Sequence, residues 1–167
     1  AILDVGLYPV SFSRLVAGAA LGKKFMNPII LEANAKIGET GVDEISHATL
    51  DFDGKIIAQA STAIRQTMDN KALITGTLGS LEMSDPWCPG RDSGPYHSTI
   101  TTIINGKKEI IDFKGPEHLF FFEAELSSQS IIKHKQELPY PGMTWEDTLG
   151  NLKTLDDWRK KIDYKLK

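Results

Sequence analysis

From Ala1 to Ala20 the apolar positions Leu3, Leu7, Val10, Leu15 and Val16 recur at spacings that fit one side of a helix, and Gly18 and Gly22 supply its stop. Pro9 lies inside this run and cannot donate to the carbonyl of Val5. The pattern therefore predicts either a kink there or a second helix beginning at Pro9. Beyond Gly22 the period shortens. Stretches rich in β-branched residues read as strands over Ile29 to Ile37, Glu44 to Phe52, Lys55 to Ile64, Ala72 to Thr75, Ser80 to Met83, Ser98 to Asn105 and Lys107 to Phe113. Asp53-Gly54 and Asn105-Gly106 reach the positive φ angles of two-residue hairpin turns, and Gly76-Thr77-Leu78-Gly79 is a looser turn. The Pro- and Gly-rich stretch Ser84 to Tyr96 predicts an irregular loop.

After Pro116 the helical period returns, with Leu119, Phe122, Leu126 and Ile131 or Ile132 on an inner face and Pro139-Tyr140-Pro141-Gly142 ending it. Thr144 with Asp147 three residues on resembles a capping box, and Trp145, Leu149, Leu152, Asp156 and Arg159 follow at helical spacing. A helix, about seven mostly antiparallel strands and two closing helices make an α+β domain with one sheet face covered by helices. In two strands the apolar residues do not alternate with polar ones: Ile56, Ile57, Ala58, Ala60 and Ala63 fall on both faces, as do Ile100, Ile103 and Ile104. Such strands predict burial on both sides, with a second copy of the sheet as the partner on the outer face of a homodimer.

Composition narrows the classes. At 167 residues, 41% hydrophobic and 25% charged, the chain has the balance of one soluble domain with its own core. A net charge of −3 without a basic block argues against nucleic acid and against an anionic membrane surface. Asp4, Pro9, Ser11, Ser13 and Arg14 interrupt the first apolar run, so it does not read as a membrane span. The single cysteine, Cys88, excludes an internal disulfide framework, and the chain reads as intracellular, with a cytoplasmic location expected. Ala1 opens a helical run with no initiator methionine, signal peptide or cap, so the natural start is expected to be missing.

Asp4 and Tyr8 are the most suggestive chemical pair, because a spacing of four puts both on one helix face. A tyrosine exchanges a proton with an alcohol or alkoxide, but its free pKa of about 10 calls for a nearby positive charge. Spacing alone favours the structural reading, a Tyr8 ring packed under the sheet and an Asp4 solvating the helix start. Trp87 is a candidate pocket wall or a buried loop anchor. Arg65 and Arg91 are candidates for holding substrate hydroxyls or a cofactor phosphate, or are surface charges. His47, His97, His118 and His134 lack ligand spacing, so no metal is expected, and Cys88, lacking a base partner, reads as an inert buried thiol.

The opening Ala-Ile-Leu-Asp-Val-Gly-Leu-Tyr-Pro-Val-Ser-Phe-Ser-Arg-Leu-Val-Ala-Gly resembles the helix that follows the nucleotide-binding domain in the glucose-fructose oxidoreductase, inositol dehydrogenase and MocA family. Asp4, Gly6 and Tyr8 match the Asp-x-Gly-x-Tyr form of that family's motif. Gly41-Val42-Asp43-Glu44 resembles the start of a family strand, Ile74 to Glu82 resembles its I-x-G-T-x-G-x-L turn, and Leu149 to Tyr164 is similar to its closing helix. Asp85-Pro86-Trp87-Cys88-Pro89 looks like the tyrosine-type branch containing the dihydrodiol dehydrogenases.

The resemblance implies a substrate domain on a large open, mostly antiparallel β-sheet, commonly used for dimerisation, beside a domain that binds NAD or NADP. It implies that Tyr8 donates or accepts the proton, that Asp4 orients substrate or catalytic group, and that Trp87 shapes the pocket. The substrate class it implies is a hydroxyl or carbonyl of a sugar, cyclitol or dihydrodiol. The family's Glu-Lys-Pro lysine and a G-x-G-x-x-G turn do not occur in this sequence, so the fragment alone is expected to bind no dinucleotide and to be inactive. A non-catalytic binding or assembly domain is the alternative.

Overall fold

A computed structural model describes residues 1–91 and 94–163. The first apolar run forms α1 (Ile2–Val5) and α2 (Leu7–Ala20), joined at Gly6, whose φ of −66° and ψ of −20° keep the helical sense. Pro9 leaves the Val5 carbonyl without its helical donor, and the interruption falls at Gly6, three residues before the position the sequence pointed to. The C-terminal end is a Schellman cap: Lys23 N–H donates to the Gly18 carbonyl at 2.8 Å, Gly22 N–H to Ala19 at 3.3 Å, and Gly22 has φ +69°. Gly18 is therefore not a stop. A Cβ there would meet the backbone of Phe25, 2.6 Å from its nitrogen, so Gly18 lets the following chain pass close to the helix.

β1 (Ile29–Ile37), β2 (Asp43–Phe52) and β3 (Ile56–Ala63) form an antiparallel sheet in that order, with Asp53 and Gly54 at φ +60° and +65° in the tight turn. Its inner face, Ala48, Leu50, Phe52 and Ala60, packs on Ile2, Val10 and Ala17 of the first helices and on Leu155 and Trp158 of α4 (Trp145–Lys161). α4 turns inward a side other than the one that carries Trp145, Leu149 and Leu152. Leu149 is 68% exposed, and Trp145 and Leu152 are exposed too, while Asn151, Thr154, Leu155 and Trp158 are buried. Asp147, Asn151, Thr154 and Trp158 follow one another by four, three and four residues, a half-polar stripe that turns inward because it meets a charge buried on α2.

The remaining strands, β4 (Ala72–Gly76), β5 (Gly79–Met83), β6 (His97–Ile104) and β7 (Lys107–Lys114), make a second antiparallel sheet in chain order. The class is the expected α+β, with the strands in two sheets where the sequence suggested one. These strands and α3 (Leu119–Ile132) form a compact unit from Asp69 to Gln136; the rest of the described chain forms another. His118 caps α3, its ring accepting from Phe120 N–H at 3.4 Å. Leu119 and Leu126 are half-buried, and Phe122 meets Tyr96 edge-on at 5.2 Å. The inward stripe ends on Ser130, so Ile131 and Ile132, one of them expected inside, lie off it at 72% and 76% exposure, and Phe122, also expected inside, is 47% exposed. Cross-strand register aligns Leu73, Glu82, Thr101 and Ile110 on one face and Ala72, Met83, Ile100 and Ile111 on the other. Leu73, Ile103, Ile104, Ile110 and Phe113 remain exposed.

Replacing Gly18 by alanine is expected to force the chain at Phe25 away from α2, at a cost of about 1–3 kcal/mol. Urea unfolding will show it as a lower midpoint with an unchanged slope; an unaltered midpoint contradicts the close approach.

Candidate active site

Asp4 ends up on α1 and Tyr8 on α2, one turn apart across a Gly6 that keeps the helical direction, and both are exposed. Tyr8 is 45% exposed, so its ring is not packed under the sheet. Two buried charges stand behind this face, and neither was singled out for a role from the sequence.

Asp43, at the start of β2, accepts from the Ile2 N–H at 2.7 Å and also meets the Ala1 nitrogen. A carboxylate at a helix N-terminus satisfies an orphan donor and complements the helix dipole. It ties the turn that carries Asp4 to the sheet.

Arg14 is fully buried. Its Nη1 donates to the Asp147 carboxylate, to the Asp147 carbonyl at 3.0 Å and to Asn151 Oδ1 at 2.6 Å; Nε and Nη2 share Asn27 Oδ1 at 3.1 and 2.8 Å. Phe25 lies 4.8 Å from the guanidinium carbon. Burial pushes the Arg14 pKa below its ordinary value and Asp147 pushes it back up, which leaves an arginine charged at any physiological pH. Thr144 caps α4, its hydroxyl accepting from Asp147 N–H at 3.1 Å, as the sequence suggested. The Asp147 side chain is committed to Arg14. The signal for Arg14 was present in the sequence: Val10, Arg14 and Ala17 are spaced as an inner stripe, with a charge where an apolar residue belongs.

The other candidates are distributed between the two units. Arg65, in the unit of Tyr8, is 74% exposed and pairs loosely with Glu44 at 4.0 Å. Trp87 and Arg91 lie in the other unit, on the loop before β6. Trp87 is half-buried there. Asp85 Oδ1 accepts from Cys88 N–H at 3.3 Å and the Asp85 carbonyl from Ser98 Oγ at 3.2 Å, so the loop is ordered by its own bonds. Arg91 donates to the half-buried Cys88 sulfur, and the Arg91 carbonyl meets His118 Nε2 at 3.3 Å. His47 pairs with Ser61 at 2.9 Å and His97 with Asp112 at 2.6 Å. Asp112 is held below the usual carboxylate range by His97 first and Lys114 second. Among the described residues no three His, Cys, Asp or Glu side chains gather as metal ligands, and no helix is long and apolar enough to cross a membrane.

Every strand pairing is antiparallel, so the described residues contain no β-α-β crossover and no strand-to-helix turn of the kind that cradles a pyrophosphate.

No family model matches the chain. It is 31% identical over 161 residues to the trans-1,2-dihydrobenzene-1,2-diol dehydrogenase of Xenopus tropicalis, covering 91% of this chain and 44% of that protein. With the Mus musculus protein of the same name it shares 30% over 169 residues, 96% of this chain and 45% of the relative. The chain thus spans less than half the length of these relatives. Among solved structures, KijD10, a 3-ketoreductase from Actinomadura kijaniata in complex with NADP, superposes with a TM-score of 0.75 at 21% identity, over 96% of this chain and 47% of that one. The putative oxidoreductase yvaA from Bacillus subtilis gives 0.62 at 16% identity, over 96% and 49%. Both share the fold.

Removing the carboxylate that caps α1, by Asp43→Ala, is expected to cost about 1–2 kcal/mol, and Asp43→Asn less, because an amide oxygen still accepts from Ile2. Thermal unfolding of the three proteins checks the order; equal losses from the two substitutions would contradict the capping role.

Proposed function

Because the chain is a C-terminal domain of the glucose-fructose oxidoreductase, inositol dehydrogenase and MocA type, similar along most of its length to dihydrodiol dehydrogenases, we propose that it is the substrate-side domain of an NAD(P)-dependent oxidoreductase. The observation that carries this reading is the exposed Asp4–Tyr8 face across α1 and α2, matching a dehydrogenase motif in a chain whose relatives are named dehydrogenases. The dinucleotide is held by residues outside this chain, as is the lysine whose charge assists Tyr8, and the 167-residue chain alone is inactive. The nicotinamide, when bound, supplies or takes the hydride. Tyr8 gives its hydroxyl proton to the carbonyl oxygen in reduction and receives it from the alcohol in oxidation. Asp4, one turn away, accepts from a substrate hydroxyl and orients it. The substrate is a carbon bearing a hydroxyl or ketone beside further hydroxyls, a dihydrodiol, cyclitol or sugar. The names of the relatives, one a diol dehydrogenase and one a 3-ketoreductase, support that class. Arg65, in the same unit as Tyr8, contributes a donor to substrate hydroxyls.

The four-stranded sheet, with Leu73, Ile103 and Ile110 exposed on one face, is the surface through which two copies associate.

In the intact protein, Tyr8→Phe is expected to lower turnover by about 10²- to 10⁴-fold and to leave dinucleotide affinity unchanged, since one hydroxyl is lost and no nucleotide contact. Steady-state rates across pH decide it, and wild-type turnover removes Tyr8 from the chemistry. For association, sedimentation equilibrium of this chain at micromolar concentration is expected to show a species near twice 18.5 kDa, and a clean monomer would sink the dimer.

A further inference from the structure

Asp4 stands on a single helical turn. α1 runs only from Ile2 to Val5, too short to hold a helix by itself, and Pro9 leaves the Val5 carbonyl without the donor that would carry the ladder on into α2. Among the described residues the Asp4 side chain has neither a hydrogen bond nor an ion pair, so its place is set by its backbone. That backbone is tied to the sheet at one residue. The Ala1 carbonyl accepts from the N–H groups of Asp4, Val5 and Gly6 at 3.2, 2.9 and 3.1 Å, and the Ala1 nitrogen in turn donates to the Asp43 carbonyl at 2.7 Å. Ile2 N–H donates to Asp43 Oδ2 at 2.7 Å, and Asp43 is buried at the start of β2, paired with Ile37 of β1. The Ile2 side chain gives α1 a second hold, in the core, but one apolar contact leaves the turn free to pivot about it. Asp4 follows Ile2 by two residues, about 200° around the axis, so a pivot at Ile2 displaces it. The directional bonds to Asp43 remove that freedom.

We propose that Asp43 is a positioning residue for the Asp4 carboxylate, holding the first turn to the sheet so that Asp4 meets a substrate hydroxyl at a set distance. The inference rests on the reading of Asp4 as the group that accepts from a hydroxyl beside the reacting carbon. Loosening Asp43 then impairs recognition of that hydroxyl, since a displacement of about 1 Å in a positioning group costs on the order of 10²-fold.

The test is made on the intact protein with two probes, a vicinal cyclohexanediol and cyclohexanol, which lacks the second hydroxyl. Asp43→Ala is expected to lower kcat/KM for the diol about 10- to 100-fold, to leave that for cyclohexanol nearly unchanged, and to leave the dinucleotide KM as it is. Asp43→Asn, whose amide oxygen still accepts from Ile2, is expected to recover most of the loss, and Asp4→Ala to show the same selective loss as Asp43→Ala. A merely structural role lowers the amount of working enzyme and cuts both rates by one factor. If Asp4→Ala is selective while Asp43→Ala cuts both rates alike, or neither, the proposal is overturned and Asp4 keeps its role. If Asp4→Ala spares the diol, the reading of Asp4 is overturned and this inference with it. Turnover of neither probe by the unsubstituted protein overturns the substrate class on which both stand. Should Asp43→Ala fail to fold, Asp43→Glu keeps a carboxylate but moves it by one methylene, and is put through the same comparison with the same outcomes.

Discussion

A guanidinium sealed from water forces decisions on everything around it. Leaving a buried charge uncompensated costs several kcal/mol, so the sequence must bring a carboxylate and enough acceptors to Arg14 wherever the chain places it. The first turns of α4 answer that demand with Asp147 and Asn151, a glycine at 150 to make room, and Asn27 and Phe25 from the segment leaving α2. The demand explains why α4 presents a half-polar stripe to the core and leaves Trp145, Leu149 and Leu152 outside. Burial of those three would have stabilised the helix by about 1.5–3 kcal/mol per side chain, but that rotation would strand Arg14 without its partners.

With α2 and α4 fixed together, the three-stranded sheet has a complete cover, and Trp158, Phe52 and Leu50 close the core beneath it. Asp43 fastens α1 to the same sheet. The helical run is thus tied down on each side of its interruption and left open between, where Asp4 and Tyr8 project. The second unit is built otherwise. Its four strands keep apolar side chains exposed and α3 presents only a narrow stripe inward, so it owes its form to strand pairing and to the bonded loop around Asp85 more than to a closed core.

Much of this was legible from pattern, because hairpin turns and strand periods are local properties. Asp53-Gly54 and Asn105-Gly106 fold as their φ preferences require, and β1, β6 and β7 end within a residue or so of the predicted limits. The helices were legible in extent, and α3 was misread in orientation. Apolar spacing places Ile131 or Ile132 inside, whereas the buried position is Ser130; on α4 Asn151 is buried beside Leu155 and Trp158 because its partner Arg14 is distant in sequence. The separation of the strands into two sheets was hidden for a similar reason, since no local signal states which strands pair beyond the hairpins. Asp4 and Tyr8 could be named from a motif, but that both are exposed follows from which side of the first helices meets the sheet, and spacing alone did not decide it.

The exposed pair and its buried supports also bear on how substitutions here should be judged. Asp4 and Tyr8 are exposed and contribute little to the core, whereas Arg14 and Asp43 are buried among the bonds that hold the first helices to α4 and to the sheet. A substitution at either buried residue therefore reports first on folding: removing one partner of the Arg14 cluster leaves the other charge buried and uncompensated, a loss of about 3–5 kcal/mol for a buried ion pair.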